Sequence, residues 1–370
     1  MGRNSSSNGA PGSAAPRIAL TVGDPCGIGP ELVLRALLDE RASAARILVV
    51  GDEDVLRRTA RELRVRWPFA AVDAEPPRST RWTRPHLLAV PGQAGEDGYG
   101  TGLISAPGGR AARAEVERAV QLARDGLVEA LVNGPVHKES LALAGNGDDA
   151  GGHTDLVARL CEVRDVGTLL VAEGFAVGLL TGHLPLRDAL RKVRTSRIVD
   201  RLGLYDGYLR RVVGRPPRTV VLALNPHRGE GGRVGTEELR EIGPAVEAAR
   251  ERGLLVSGPV GGAEGFARAA DGEFDLVLAM HHDQAVVPLR MLRGFDSAAV
   301  TVGLPFVRAT VTHGPAMDLA GRGTASPASL LRAIETAARH AAAFASTVAG
   351  EDNGRAPGAT RSEVREVPAD

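Results

Sequence analysis

Apolar residues along this chain fall into two alternating patterns: short continuous runs rich in Val, Leu, Ile and Ala, and stretches with helical spacing. The continuous runs at 18–22, 47–50, 130–132, 168–171, 176–180, 220–224 and 276–279 predict strands. They do not alternate with polar residues, which predicts burial of both faces under helices. Helical spacing marks 30–39, 57–63, 111–124, 198–213 and 237–252, and an Ala-rich helix over 329–347 closes the fold. Strands separated by helices in this way predict an α/β protein with mostly parallel sheets. No internal repeat interrupts the alternation.

Composition narrows the function classes. With 370 residues the chain can build two lobes, each with its own core. Lys plus Arg (45) equals Asp plus Glu (45), so charge gives no footing for a nucleic-acid or membrane partner. A small anion needs only a local Arg cluster, which neutrality allows. Two cysteines, Cys26 and Cys161, exclude a disulfide framework and suit a reducing cytoplasm. No apolar run approaches the roughly 20 residues that span a bilayer. Residues 1–16 lack an apolar segment and read as a disordered leader; 350–370 read likewise as a tail.

Three histidines close strand-like runs: His183 in TGHLP, His227 in NPHRGEGG and His282 in MHHDQ. Open α/β sheets bind ligands beyond the carboxyl ends of their strands. Three neutral imidazoles gathered there would hold a divalent metal with positions open to substrate. An isolated histidine is ordinarily a structural residue, and the wide separation of these three is no ligand fingerprint. Their shared location is what favours a metal. His281 competes with His282, and strand alternation would let only one point into the site. Asp283 is placed to orient an imidazole from behind.

Four further segments carry chemistry. The string GDPCGIGPE at 23–31 joins a strand to a helix, with glycines for tight turning and Pro30 suited to the first helical turn. It lacks the G-x-G-x-x-G spacing, so a structural turn and a wall of the active site stand as equal readings, with Cys26 a packed side chain. Lys138 in GPVHK follows a strand, where it would act as an acid or base, anchor an anion, or simply be solvated. His153 and Thr154 begin a helix, with Thr154 a candidate N-cap and the helix start a candidate anion site. The loop over 313–323 has several glycines and Asp318, suited to backbone contact with a ligand and to ribose hydroxyls, or to plain connection.

Together the strings TVGDPCGIGPE, NGPVHK, GGHTDL, TGHLPLRDAL, LNPHRGEGG, MHHDQ, GLPFVRATVTHG and AMDLAGRG resemble the 4-hydroxythreonine-4-phosphate dehydrogenase family, enzymes of the PdxA type in pyridoxal phosphate biosynthesis. The resemblance covers about 18–341. The last string also resembles the cofactor loop of isopropylmalate and isocitrate dehydrogenases. The family implies a two-lobed subunit of that fold, here 17–127 with 300–349 and then 128–299. It implies a homodimer with the active site near the interface, and NAD as cofactor with NADP left open.

The resemblance also assigns roles. It implies one divalent metal (zinc, cobalt, nickel, iron or magnesium) held by His183, His227 and His282, which selects His282 over His281. His153, Thr154, Arg290 and Arg308 match substrate-binding positions, and His313, Gly314 and Asp318 fall in the cofactor loop. His153 and Lys138 are the candidate bases. The implied reaction is oxidation of a secondary alcohol on 4-phosphohydroxy-L-threonine, followed by loss of carbon dioxide. Three departures weaken the choice of substrate: Arg290 stands where the family has lysine, Ala299 where it has asparagine, and THGPA replaces DHGTA at Thr312. The same chemistry on 4-phosphorylated threonate or erythronate, or on an aromatic cis-dihydrodiol carboxylate, is the alternative. A catalytically silent metal- or nucleotide-binding protein is the rival of another class.

Overall fold

The computed structural model describes residues 15–73, 84–94, 98–145 and 152–353. The leader expected over 1–16 and the tail expected over 350–370 fall almost wholly outside them. The strands are β1 (Arg17–Thr21), β2 (Arg46–Gly51), β3 (Val72–Asp73), β4 (His86–Ala89), β5 (Ala130–Asn133) and β6 (Gly167–Val171), then β7 (Ala176–Leu179), β8 (Thr219–Leu222), β9 (Val256–Val260), β10 (Leu276–Ala279), β11 (Ala298–Val302) and β12 (Val307–Val311). The helices are α1 (Gly29–Ala36), α2 (Glu53–Glu62), α3 (Ala106–Arg124), α4 (Lys138–Ala144), α5 (His153–Leu160) and α6 (Leu186–Arg191), then α7 (Thr195–Val213), α8 (Gly243–Glu251), α9 (Gly262–Ala270), α10 (His282–Arg293) and α11 (Ala328–Asn353).

All the strands lie in one sheet, in the order β3-β4-β2-β1-β5-β12-β11-β6-β7-β10-β8-β9. The protein is thus α/β with a large, mostly parallel sheet flanked by helices, and the two halves share that sheet. Antiparallel pairing is confined to β12–β11, β11–β6 and β6–β7, at the middle of the sheet. Strand β5, which the expected division at 128 gave to the second lobe, pairs with β1 and β12 in the first half.

The continuous apolar runs have the expected cause. In β1, Ile18 and Leu20 pack into one core beneath α1 and α11, while Ala19 packs into another with Val116 and Val120 of α3. Both faces are covered, so alternation is absent. Strands β4, β9, β11 and β12 escape the apolar-run criterion because His, Ser, Thr and Arg interrupt them. The helix expected over 237–252 opens instead with a π-type turn, Glu238–Ile242, before α8 begins at Gly243-Pro244.

Candidate active site

Strands β7, β10 and β8 are consecutive neighbours and run parallel, so their carboxyl ends emerge side by side. Neighbouring strands lie about 4.8 Å apart. The rings of His183, beyond β7, and His282, beyond β10, accordingly stand 4.9 Å apart between centroids. His282 Nδ1 meets Asp283 Oδ1 at 2.7 Å, which leaves Nε2 free for a ligand. Desolvation, then the charges of Lys138 and His282, hold His183 below the ordinary imidazole value, so it is neutral at pH 7.

His281 is engaged differently from His282. Both histidines lie past the end of β10; His281 is the N-cap of α10, and its Nδ1 accepts from the Gln284 amide at 3.3 Å. His227 sits beyond β8 in a left-handed turn, where residues 227–231 all have positive φ, between 45° and 76°. Three of those residues carry side chains, a conformation that costs about 1–2 kcal/mol each. The buried carboxylate of Glu238 braces the turn, accepting from the amides of Leu224 (2.8 Å) and Asn225 (2.7 Å) and from Asn225 Nδ2 (2.9 Å). Among the described residues no three His, Cys, Asp or Glu side chains are gathered closely enough to hold a metal. Two of the expected ligands are together, and the third stands apart on its turn.

A second cluster forms where β5 and β12 lie side by side. Arg308 is fully buried, and its Nε donates to Asn133 Oδ1 (2.7 Å). Its Nη1 donates to Thr301 Oγ1 (2.5 Å) and Thr154 Oγ1 (3.2 Å), while Nη2 has no partner among the described residues. Burial pushes its pKa down to about 9, so it remains a cation at neutral pH, and no carboxylate among the described residues is bonded to it. A buried cation of this kind calls for a counter-ion. Thr154 therefore serves Arg308, and Gly152, not Thr154, is the N-cap of α5.

His153 Nε2 lies 3.3 Å from Thr310 Oγ1, and that hydroxyl donates its proton to Asn133 O at 3.0 Å. The ring nitrogen must therefore donate to Thr310, which leaves the lone pair on Nδ1. Burial, with the charges of Arg308 and Lys138, keeps His153 well below the usual imidazole range. The Lys138 side chain runs past Gly152, where an added Cβ would meet its Cε at 3.3 Å. Lys138 thus neighbours His153 and acts electrostatically on His183 as well.

The expected cofactor loop starts beside Arg290. Arg290 Nη2 donates to Thr312 O (2.5 Å) and Thr312 Oγ1 (3.0 Å), Nη1 donates to Gly294 O (3.3 Å), and the guanidinium lies 4.2 Å from the Phe295 ring. These contacts tie it to the protein. Burial and Arg290 lower the pKa of His313, whose Nδ1 donates to Gly314 O at 2.8 Å. Gly314 and Asp318 are exposed. Cys26 is packed as expected, its thiol pushed up to about 11 by burial.

The family described as pyridoxal phosphate biosynthetic protein PdxA matches residues 43–337. This chain belongs to the PdxA family. It is 35% identical over 321 residues to D-threonate 4-phosphate dehydrogenase of Salmonella typhimurium, covering 86% of this chain and 97% of that one. It is 37% identical to 4-hydroxythreonine-4-phosphate dehydrogenase of Desulforapulum autotrophicum, covering 88% and 96%. The crystal structure of 4-hydroxythreonine-4-phosphate dehydrogenase from Klebsiella pneumoniae superposes with a TM-score of 0.81 at 36% identity, covering 89% of this chain and 99% of that one. Within this PdxA-family fold, Asn133, Thr301, Thr310 and Glu238 contact the candidate site residues or brace their turns, and sequence patterning missed them. For Thr301 and Thr310 the signal was a polar residue inside an apolar run; Glu238 had none.

Proposed function

We propose that this PdxA-family chain is a dehydrogenase that uses NAD and a divalent metal to oxidise the secondary alcohol of 4-phosphohydroxy-L-threonine, with decarboxylation following. The observation that carries this reading is Arg308, a buried guanidinium whose Nη2 has no partner, and which has no bonded carboxylate, among the described residues. An anionic group of the substrate would supply the missing counter-charge, with His153 and Thr154 beside it. His153, with its lone pair on Nδ1, is the candidate to take the hydroxyl proton, and Lys138 is the second candidate. His183 and His282 supply two metal donors, and His227 is the proposed third. Imidazole donors favour zinc, cobalt, nickel or iron(II) over magnesium. When bound there, a metal supplies Lewis acidity to the substrate oxygens. The loop bearing His313, Gly314 and Asp318 is the proposed dinucleotide contact, with NADP the second candidate.

A homodimer is supported by an exposed apolar stripe on and just beyond α10, formed by Val287, Met291 and Phe295 at successive helical turns. A cytoplasmic setting is the reading that the unpaired Cys26 and Cys161 favour. Among the described residues no helix is long and apolar enough to cross a membrane. The substrate has a second reading. Arg290 and Thr312, two departures from the family pattern, bond to each other, and Ala299 removes an amide; this favours a 4-phosphorylated threonate or erythronate. An aromatic cis-dihydrodiol carboxylate would leave Arg308 without a phosphate.

A substrate panel tests these readings. The purified protein with metal should reduce NAD, followed by NADH absorbance, on phosphohydroxythreonine or on phosphothreonate. His183→Ala and a chelator should each abolish the signal. NADH formation insensitive to both would rule out the metal-dependent reaction, and a chain inert toward every panel member would be a binding protein.

A further inference from the structure

The segment 23–31, which its sequence leaves open between turn and site wall, makes several bonds within the protein, although Asp24 Oδ2 and Glu31 Oε1 are buried without a partner among the described residues. Asp24 Oδ1 accepts from the Cys26 amide at 3.0 Å, and the Gly23 amide donates to the buried Glu115 carboxylate at 2.7 Å. Beyond this turn the segment faces the loop 312–325. The Ile28 amide donates to Pro315 O at 2.9 Å, and a Cβ on Gly27 would lie 2.6 Å from Pro315 Cβ. Cys26 O accepts from the Gly102 amide at 2.7 Å, and a Cβ on Gly102 would lie 2.9 Å from Met317 O. Two close backbone approaches therefore require glycine.

Helix α1 holds the far end of the same loop. Glu31 is 2% exposed, and its Oε2 accepts from the Gly323 amide at 2.9 Å. Arg35, one turn further on, donates to Gly323 O and to Ala325 O. At the near end, Thr312 is held by Arg290 and by Ser329, whose Oγ accepts from the Thr312 amide at 3.1 Å. The loop is thus fixed at its start, middle and end, while Gly314 and Asp318 between the fixed points stay exposed. Gly323 and Ala316 adopt left-handed backbone, with φ of 63° and 40°, which such anchoring must sustain.

We propose that Glu31 and Arg35 are positioning residues for the dinucleotide, acting through the loop 313–323, and that the GDPCGIGPE segment is a clasp on that loop. The inference rests on the reading of 313–323 as the cofactor loop. A loop rich in glycine loses much freedom when it closes on a ligand, and anchoring it beforehand removes that cost from binding.

The test is NAD affinity by isothermal titration, steady-state kinetics and thermal melting on the full chain. Glu31→Ala and Arg35→Gln should raise both the NAD dissociation constant and the KM for NAD by about tenfold or more. Maximal rate at saturating NAD should stay within about twofold. Glu31→Gln, whose amide oxygen still accepts from Gly323, should bind NAD nearly as the parent does. If Glu31→Ala does not fold, Arg35→Gln, at a half-buried position, decides alone. Variants that melt earlier yet bind NAD unchanged would overturn the proposal and leave a purely structural contact. Asp318→Ala and His313→Ala separate the two layers. If either weakens NAD binding while Glu31→Ala and Arg35→Gln do not, the clasp fails; if none of the four does, the cofactor-loop reading fails and takes the proposal with it.

Discussion

Arg290 grips Thr312 twice, with one guanidinium nitrogen 2.5 Å from its carbonyl oxygen and 3.0 Å from its hydroxyl. Their contact links the end of α10, the helix that starts at His282, to the start of the loop proposed to hold the cofactor. Lysine is a point charge and cannot span Thr312 and Gly294 as the planar fork does. Arg290→Lys should therefore destabilise the fold by about 1–2 kcal/mol in urea titration. An unchanged midpoint would mean that these bonds add nothing net.

Arg308 is a buried cation with no carboxylate bonded to it among the described residues. Inorganic phosphate should raise the melting temperature of the parent, because a ligand that binds only the native state stabilises it. In Arg308→Met that rise should vanish, and the KM for a phosphorylated substrate should increase roughly 10- to 100-fold. Equal phosphate stabilisation of both proteins would refute the assignment.

Asp283 orients His282 through Nδ1 at 2.7 Å. Replacing such a carboxylate typically costs 10- to 100-fold in metal affinity. Asp283→Asn should show that loss in cobalt titration, at unchanged thermal stability, since Asp283 is exposed. Parent-like affinity would argue that His282 is no ligand.

Burial lowers the pKa of His340 to about 3, and its Nδ1 lies 2.8 Å from the Tyr208 hydroxyl between α7 and α11. The folded value lies below the unfolded one, near 6.5, so the stabilisation is present above 6.5 and is lost as pH falls towards 3. Each unit in that window costs about 1.4 kcal/mol. His340→Gln should flatten the acid limb of stability against pH by about one proton. A parallel acid limb in the variant would show that His340 protonates freely in the native state.

Much of the scaffold was legible because it is local. Apolar runs without alternation predicted strands covered on both faces, and β1, with Leu20 and Ala19 in separate cores, bears that out. Strands β11 and β12 were not legible: their threonines and Arg308 form a buried polar cluster that exists only once β12 lies beside β5. That His281 caps α10 was not legible either, because strand alternation does not describe helix capping.

The sequence by itself determined the alternation of strands and helices, the position of His183, His227 and His282 just past strand ends, and the family to which the chain belongs. Those properties depend on periodicity and on strings of neighbouring residues. Tertiary structure alone decided that β7, β10 and β8 lie side by side, that the rings of His183 and His282 meet while His227 stands apart, and that Arg308 is buried with a donor to spare. It also decided that Arg290 is spent on Thr312. Strand order and burial are set by contacts between residues more than a hundred positions apart, such as Asn133 with Arg308, and no local pattern encodes which distant partner will satisfy a given donor.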